Sequence, residues 1–261
     1  MNIPFNLLEG YSGCKIFLLN ENVVRKISPS LEYNTRLKRQ ANKQKEFNDT
    51  AIQAPQILEE GYTSEGFYYF DMEYIKGIKF SEFVVNNSID QVKVKFNNIL
   101  EFVKGIKTES KINVKRDIEN KIEPYQKRYK KLCDYCLDID WTIEKSWCHG
   151  DLAFENILIS GEELYFIDFL DSFVESTIAD YSKILQDSIL GWSWRNEKFT
   201  PHIKNISITN MMRDSVTSKE LEIINRMLVI NIFRIFPYIK SKKDKSFLHK
   251  CLEHLERRFI S

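Results

Sequence analysis

The sequence predicts an α+β fold with a small β-rich N-terminal lobe, residues 1–75, and a larger, mainly helical C-terminal lobe, residues 76–261. Three patterns predict it. Short β-branched and aromatic runs crowd the first third, apolar residues recur at helical spacing through most of the rest, and one short hairpin interrupts that helical stretch. With 261 residues, 43% of them hydrophobic and 13% aromatic, the chain can bury one sizeable core or two, packed mainly by Phe and Tyr.

Gly10-Tyr11-Ser12-Gly13 sets two glycines and a serine between apolar runs, the composition of a tight turn between strands whose backbone N–H groups can approach an anion. Val23-Val24-Arg25-Lys26-Ile27 reads as a strand, so Arg25 and Lys26 face opposite sides. Leu31 to Asn48 reads as a helix with Leu37, Ala41, Gln44 and Phe47 on one face. Phe67 to Ile75 is a further strand, running into Lys76-Gly77. Val92, Phe96, Ile99, Val103 and Ile106 then mark a helix, and Ile118, Ile122, Tyr125, Tyr129, Leu132 and Cys136 a second stripe in a charged segment. Thr217-Ser218-Lys219-Glu220 is a capping box opening a helix from Leu221 to Phe236, which Pro237 ends or kinks. Phe247, Leu248, Cys251, Leu252 and Leu255 predict a short last helix.

The hairpin carries the chemistry. Asn156-Ile157-Leu158-Ile159 and Leu164-Tyr165-Phe166-Ile167 pair antiparallel around a Ser160-Gly161 turn, which brings Asn156 and Asp168 to one end. An amide oxygen and a carboxylate there suit magnesium, which takes few protein ligands and completes its shell with phosphates and water. Asp151, in the loop before the hairpin, can accept a proton from an attacking hydroxyl or hold that hydroxyl in line. This is the spacing that phosphoryl transfer needs.

At His149-Gly150-Asp151-Leu152-Ala153-Phe154-Glu155-Asn156 and Ile167-Asp168-Phe169-Leu170-Asp171, the chain resembles the aminoglycoside phosphotransferase and choline kinase branch of the protein-kinase-like superfamily. That branch carries His-Gly-Asp and Asp-Phe-x-Asp where protein kinases carry His-Arg-Asp and Asp-Phe-Gly. The continuation Phe169-Leu170-Asp171-Ser172-Phe173, Asp180-Tyr181-Ser182-Lys183, Gln186-Asp187 and Trp192-Ser193 looks nearest to uncharacterised bacterial phosphotransferases thought to act in surface-polysaccharide pathways.

The resemblance implies a two-lobed protein-kinase-like fold and a small-molecule kinase. It would use ATP or GTP with Mg2+ and transfer the γ-phosphoryl group to a hydroxyl, favouring a sugar or sugar-like alcohol. Gly10, Ser12 and Gly13 would cover the phosphates, Lys26 would hold the α- and β-phosphates, and Asn156 and Asp168 would hold the metal. Met72, the Glu73 carbonyl and the Ile75 N–H would form the adenine pocket at a hinge. Asp151 would be catalytic, and Asp171 and Glu175 would meet the acceptor. In the family a glutamate on the helix after the lysine steadies it; here Gln40 lies nearest that position, with Gln44 and Glu46 as competitors. Residues 1–75, hinge included, would bind nucleotide, and residues 76–261 would supply catalysis and acceptor binding.

Other classes are disfavoured. A net charge of +1 gives no reason to expect nucleic acid or an anionic membrane as partner, and the basic stretch Lys121 to Lys131 alternates with tyrosines as a solvated helical face does. No segment reads as a signal peptide or membrane span, and five cysteines without a secretory signal point to free thiols in a cytoplasmic protein. Cys133 and Cys136 have zinc-ligand spacing without a second pair. An aminoglycoside or amino-alcohol kinase and a nucleotide-binding pseudokinase are the competing functions. A protein kinase is disfavoured by His-Gly-Asp, by Asp-Phe-Leu-Asp and by the lack of an Ala-Pro-Glu element. The oligomeric state is not legible.

Overall fold

Alternating β-branched and aromatic residues make the N-terminal strands, and helices with one apolar face make most of the remaining chain. The computed structural model describes residues 6–8, 13–239 and 241–260. In chain order the elements begin β1 (Asn6–Leu8), β2 (Lys15–Asn20), β3 (Val23–Ile27), α1 (Asn34–Glu46), β4 (Ile52–Gln53), β5 (Ile57–Tyr62), β6 (Tyr68–Glu73) and β7 (Ile78–Lys79). They continue α2 (Phe80–Asn86), α3 (Ile89–Gly105), β8 (Thr108–Asn113), α4 (Lys115–Ile122), α5 (Lys130–Leu137), β9 (Thr142–Ser146), β10 (Ile157–Ser160) and β11 (Glu163–Phe166). The last are α6 (Thr177–Ser188), α7 (His202–Asp214), α8 (Ser218–Ile235) and α9 (Lys242–Phe259).

The chain divides into two compact units, residues 1–80 with 156–171 and residues 81–155 with 172–261. The β10–β11 hairpin therefore groups with the N-terminal strands, whereas the division at residue 75 puts it with the helices.

The first unit holds a five-stranded antiparallel sheet, β1-β2-β3-β6-β5, and a four-stranded sheet, β4-β11-β10-β7. On β3 the alternation separates two cations. Arg25 forks onto both oxygens of its cross-strand partner Asp71, at 2.7 and 2.8 Å, and stacks 3.8 Å from the Tyr69 ring centroid, while Lys26 is buried. The apolar face of α1 packs Leu37 and Ala41 with Cys14, Tyr68 and Phe70. Removing Leu37 and Phe70 from water stabilises this small layer by about 1.5–3 kcal/mol each. At Gly77 a Cβ would lie 2.6 Å from the Ile159 carbonyl oxygen, so the close approach of β10 requires glycine there.

The second unit is built on α8, whose Ile223, Ile224 and the run from Met227 to Phe233 are buried. Buried polar groups on it are paired: Asn231 Nδ2 donates to Ser182 Oγ of α6 at 2.8 Å, and the Arg226 guanidinium donates to the carbonyls of Tyr135, at 2.9 Å, and Asp138, at 3.3 Å, near the end of α5. Thr217 and Glu220 make the expected capping box.

Three expectations change. The stripe from Ile118 to Cys136 is broken into α4, a 3-10 turn and α5, because Pro124 in the turn has no N–H to continue the helix. The hairpin turn lies at Gly161-Glu162, one residue later than read. The last helix, α9, is 18 residues long rather than short. Several elements were not read from the sequence, among them α6, α7 and the two-stranded sheet of β8 and β9 inside the helical part.

Candidate active site

Lys26 is the deepest charged group of the first unit, with its side chain 3% exposed. Its ammonium donates to Asp168 Oδ1 and, at 3.3 Å, to Gln40 Oε1 on α1; Gln40 Nε2 in turn donates to Tyr33 Oη at 3.2 Å. Burial alone would lower the lysine pKa, but the Asp168 carboxylate, together with Cys14 and Tyr33, offsets it and leaves the pKa raised. Of the three residues weighed as partners on α1, Gln40 makes this contact. Gln44 instead donates to the Pro55 carbonyl, at 2.7 Å, and to Met72 Sδ, at 3.7 Å, and Glu46 is exposed.

Asp168 is brought to Lys26 across 142 residues of sequence by the hairpin. The Ile167 N–H donates to the Asn156 carbonyl at 3.0 Å, so Asn156 and Asp168 flank one end of it. Among the described residues Asp168 is the one non-glycine with a left-handed backbone, φ 62°, a conformation Asp tolerates better than bulky residues do. A carboxylate and a side-chain amide are the donor types that suit a magnesium ion, which takes its remaining oxygens from phosphates and water. Beyond it, Lys43 donates to the Leu170 carbonyl at 2.9 Å, and Arg39 pairs with Asp171 at 3.4 Å. Phe169 is buried and packs on Phe47, ring centroids 5.4 Å apart.

In the second unit the residues before the hairpin form a loop pinned at every turn. The buried carboxylate of Asp180 accepts from the backbone N–H groups of His149, at 2.7 Å, and Gly150, at 2.8 Å. Gly150 sits at φ 86°, which explains glycine at the centre of His-Gly-Asp. His149 is fully buried, and its Nδ1 accepts from the Asp151 N–H at 3.2 Å, a structural tie. Leu152 and Phe154 are buried, Phe154 lying edge-on to Phe96 and Trp194. Asp187 accepts from the Phe154 N–H, at 2.7 Å, and from the N–H and hydroxyl of Ser193, at 2.8 and 2.7 Å.

The Asp151 carboxylate itself is paired with Lys183 of α6, Nζ to Oδ1 at 2.8 Å, with side-chain exposures of 24% and 12%. Burial pushes Asp151 upward, and Lys183, with smaller contributions from His149 and Arg234, more than reverses this and holds it below the ordinary carboxylate value. Burial raises Asp187 to about 6.

The other expected site residues are more scattered. Gly10 and Ser12 lie outside the described residues, and Gly13 has φ 80°. The Glu73 N–H donates to the Gln56 carbonyl at 3.0 Å, its carboxylate accepts from the Gln56 N–H at 2.9 Å, and Ile75, two residues on, is half-buried. Glu175 accepts from the Ser172 N–H of its own loop at 3.1 Å and from the thiol of Cys148, just before His149, at 3.5 Å. The structure thus gathers Lys26, Gln40, Asn156 and Asp168 in one unit, and Asp151 with Lys183, Asp180 and Asp187 in the other. The sequence offered the last three only as part of the narrower resemblance, with no role attached. Their spacing on one helix was the available signal, since positions i, i+3 and i+7 share a face.

No protein-family model and no curated protein matches the sequence. Solved structures do match over nearly the whole chain. A GDP and kanamycin complex of APH(2")-IIia has a TM-score of 0.62 at 14% identity, covering 98% of this chain and 94% of that one. A thermostable mutant of the aminoglycoside phosphotransferase APH(4)-Ia, in a ternary complex with ADP and hygromycin B, has 0.66 at 10% identity, with the same coverage of 98% and 94%. The ADP-bound aminoglycoside phosphotransferase APH(2'')-Ib has 0.58 at 17% identity, covering 97% and 93%. The fold of this chain is that of the aminoglycoside phosphotransferases, a protein-kinase-like fold with a β-rich and a mainly helical part.

Proposed function

We propose that this protein transfers the γ-phosphoryl group of ATP or GTP to a hydroxyl of a small-molecule acceptor. The observation that carries the reading is the convergence of Lys26, Asp168 and Asn156, from two distant parts of the chain, at one end of a hairpin. In this reading residues 1–75 carry the nucleotide contacts: Lys26 holds the α- and β-phosphates as a point charge, the Gly10–Gly13 segment covers them, and Met72, Glu73 and Ile75 form the adenine hinge. Residues 76–261 supply Asp151 and the acceptor contacts. Asp168 and Asn156 would hold Mg2+, which when bound neutralises charge on the phosphates. Asp151, kept ionised by Lys183, orients the acceptor hydroxyl and can take its proton as the O–P bond forms.

A sugar or sugar-like alcohol is the favoured acceptor. A polycationic aminoglycoside or amino alcohol calls for unengaged carboxylates. In the unit that holds Asp151, however, Asp180, Asp187 and Glu175 already accept from backbone N–H groups, and Lys183 and Arg234 add positive charge around Asp151. Asp171, paired with Arg39, stays a candidate acceptor contact. Support for nucleotide use comes from relatives of this fold solved with GDP, ADP or AMP-PNP. A neutral Gln40 beside Lys26 favours a second reading, a nucleotide-binding pseudokinase that acts as an interaction protein.

The test is magnesium-dependent transfer from ATP and GTP into a pooled panel of sugars, amino alcohols and aminoglycosides, read by mass spectrometry beside Asp151→Asn. A phosphorylated sugar that disappears in the variant is the expected result. A phosphorylated aminoglycoside or amino alcohol would replace the acceptor class, and tight nucleotide binding without transfer would favour the pseudokinase.

A further inference from the structure

The loop carrying Asp151 is held in place without any help from Lys183. Asp180 takes the N–H groups of His149 and Gly150, Asp187 takes that of Phe154, His149 takes that of Asp151, and Leu152 and Phe154 are buried as apolar anchors. Those contacts fix backbone. Lys183 does something different: its ammonium meets the carboxylate itself, at 2.8 Å, and is steadied on its other side by Gln186 Oε1 at 3.3 Å. A lysine only 12% exposed is expensive to desolvate, and a carboxylate needs no such partner merely to complete a loop in which the His149, Gly150, Asp151 and Phe154 N–H groups already have acceptors.

We infer that Lys183 is a positioning residue for the phosphoryl-transfer reaction: anchored on the same helix face that grips the loop, it sets the rotamer and the ionised form of Asp151. The inference rests on the function proposed above.

The argument is geometric first. Asp180, Lys183 and Asp187 lie at i, i+3 and i+7 of α6, so a single rigid element fixes the loop backbone at both ends and the carboxylate between them. A carboxylate that must meet a hydroxyl in line tolerates little displacement, since about 1 Å of misplacement can cost a hundredfold in rate. The electrostatics agree. Charged and titratable groups around Asp151 include Lys183 and Asp180 from α6, Arg234 from α8 and His149 from its own loop. Burial is the largest influence on Asp151 and acts upward, so removing Lys183 should let the carboxyl protonate at higher pH.

The experiment compares wild type with Lys183→Met, Lys183→Arg and Asp151→Asn in two measurements. One is steady-state transfer from MgATP or MgGTP into the pooled panel of sugars, amino alcohols and aminoglycosides across pH. The other is the titration of the Asp151 carboxyl followed by carbon-detected NMR. Lys183→Met is expected to lose about a hundredfold in kcat with the nucleotide KM little changed. Its acidic limb and its Asp151 titration should both move to higher pH, and Lys183→Arg should recover part of the rate. Should Lys183→Met not fold, Lys183→Gln, which keeps a polar side chain, carries the same outcomes. An active wild type whose kcat, acidic limb and Asp151 titration are unmoved by the change overturns this inference alone. A wild type that transfers to nothing in the panel overturns the proposed function and this inference with it.

Discussion

Each compact unit carries a lysine largely withdrawn from solvent, paired with one signature aspartate and steadied by a glutamine: Lys26 with Asp168 and Gln40, Lys183 with Asp151 and Gln186. Their surroundings differ. In the first unit Asp168 is 33% exposed on a left-handed backbone, and the residues after it are tied to α1 by the cations Arg39 and Lys43. In the second, the backbone around Asp151 is held by the anions Asp180 and Asp187, which take its N–H groups. Under the proposed function the contrast has a purpose. Asp168 must exchange an ammonium for a metal, and Gln40 keeps hold of Lys26 when it does. Asp151 must stay where it is, and its pair has no exchange to make.

That comparison is broken most severely by removing the exchanging carboxylate. Asp168→Ala should leave a folded protein whose transfer rate falls by about three orders of magnitude, with acceptor affinity nearly unchanged. Substantial activity in steady-state assays would sink the metal assignment.

The anionic grip is probed next by Asp187→Asn. Asp187 has a folded pKa of about 6, above the ordinary 3.8, so its contribution to stability is full below the unfolded value and is lost as pH rises through about 6. Asp151 runs the other way: its lowered pKa contributes stability above the unfolded value that is lost as pH falls through the folded one. Asp187→Asn should therefore flatten the decline of the urea midpoint around pH 6, a change of about 2–3 kcal/mol at most between acid and neutral pH. An unchanged slope would mean that another group titrates there.

The smallest effect belongs to Gln40→Glu. A carboxylate would compete with Asp168 for Lys26, and the expected outcome is a severalfold change in nucleotide KM at nearly constant stability. A rise of kcat by orders of magnitude would instead mark Gln40 as a disabling substitution and favour the pseudokinase.

What the sequence disclosed came from local physics. The hairpin strands were legible because Ile157, Ile159, Leu164 and Phe166 alternate inward, and the convergence of Asn156 with Asp168 comes from pairing alone. Helix α7 was not, because Ile203 and Ile206 face solvent while Ile208 and Met212 are buried, which blurs the apolar stripe. Strand β8 escaped notice because Thr108 to Asn113 is mostly polar and pairs only with the distant β9. Lys183 could be seen but not placed, since nothing local says which carboxylate a helical lysine will meet 32 residues away, Lys183 against Asp151.

The grip of α6 turns length into a constraint. A helix rotates by about 100° per residue. One residue inserted between Asp180 and Lys183, or deleted between Lys183 and Asp187, would leave a sound helix whose hold on the loop faces the wrong way. That stretch works as a ruler cut to the loop it measures, and insertions that diversify such a protein would be admitted elsewhere.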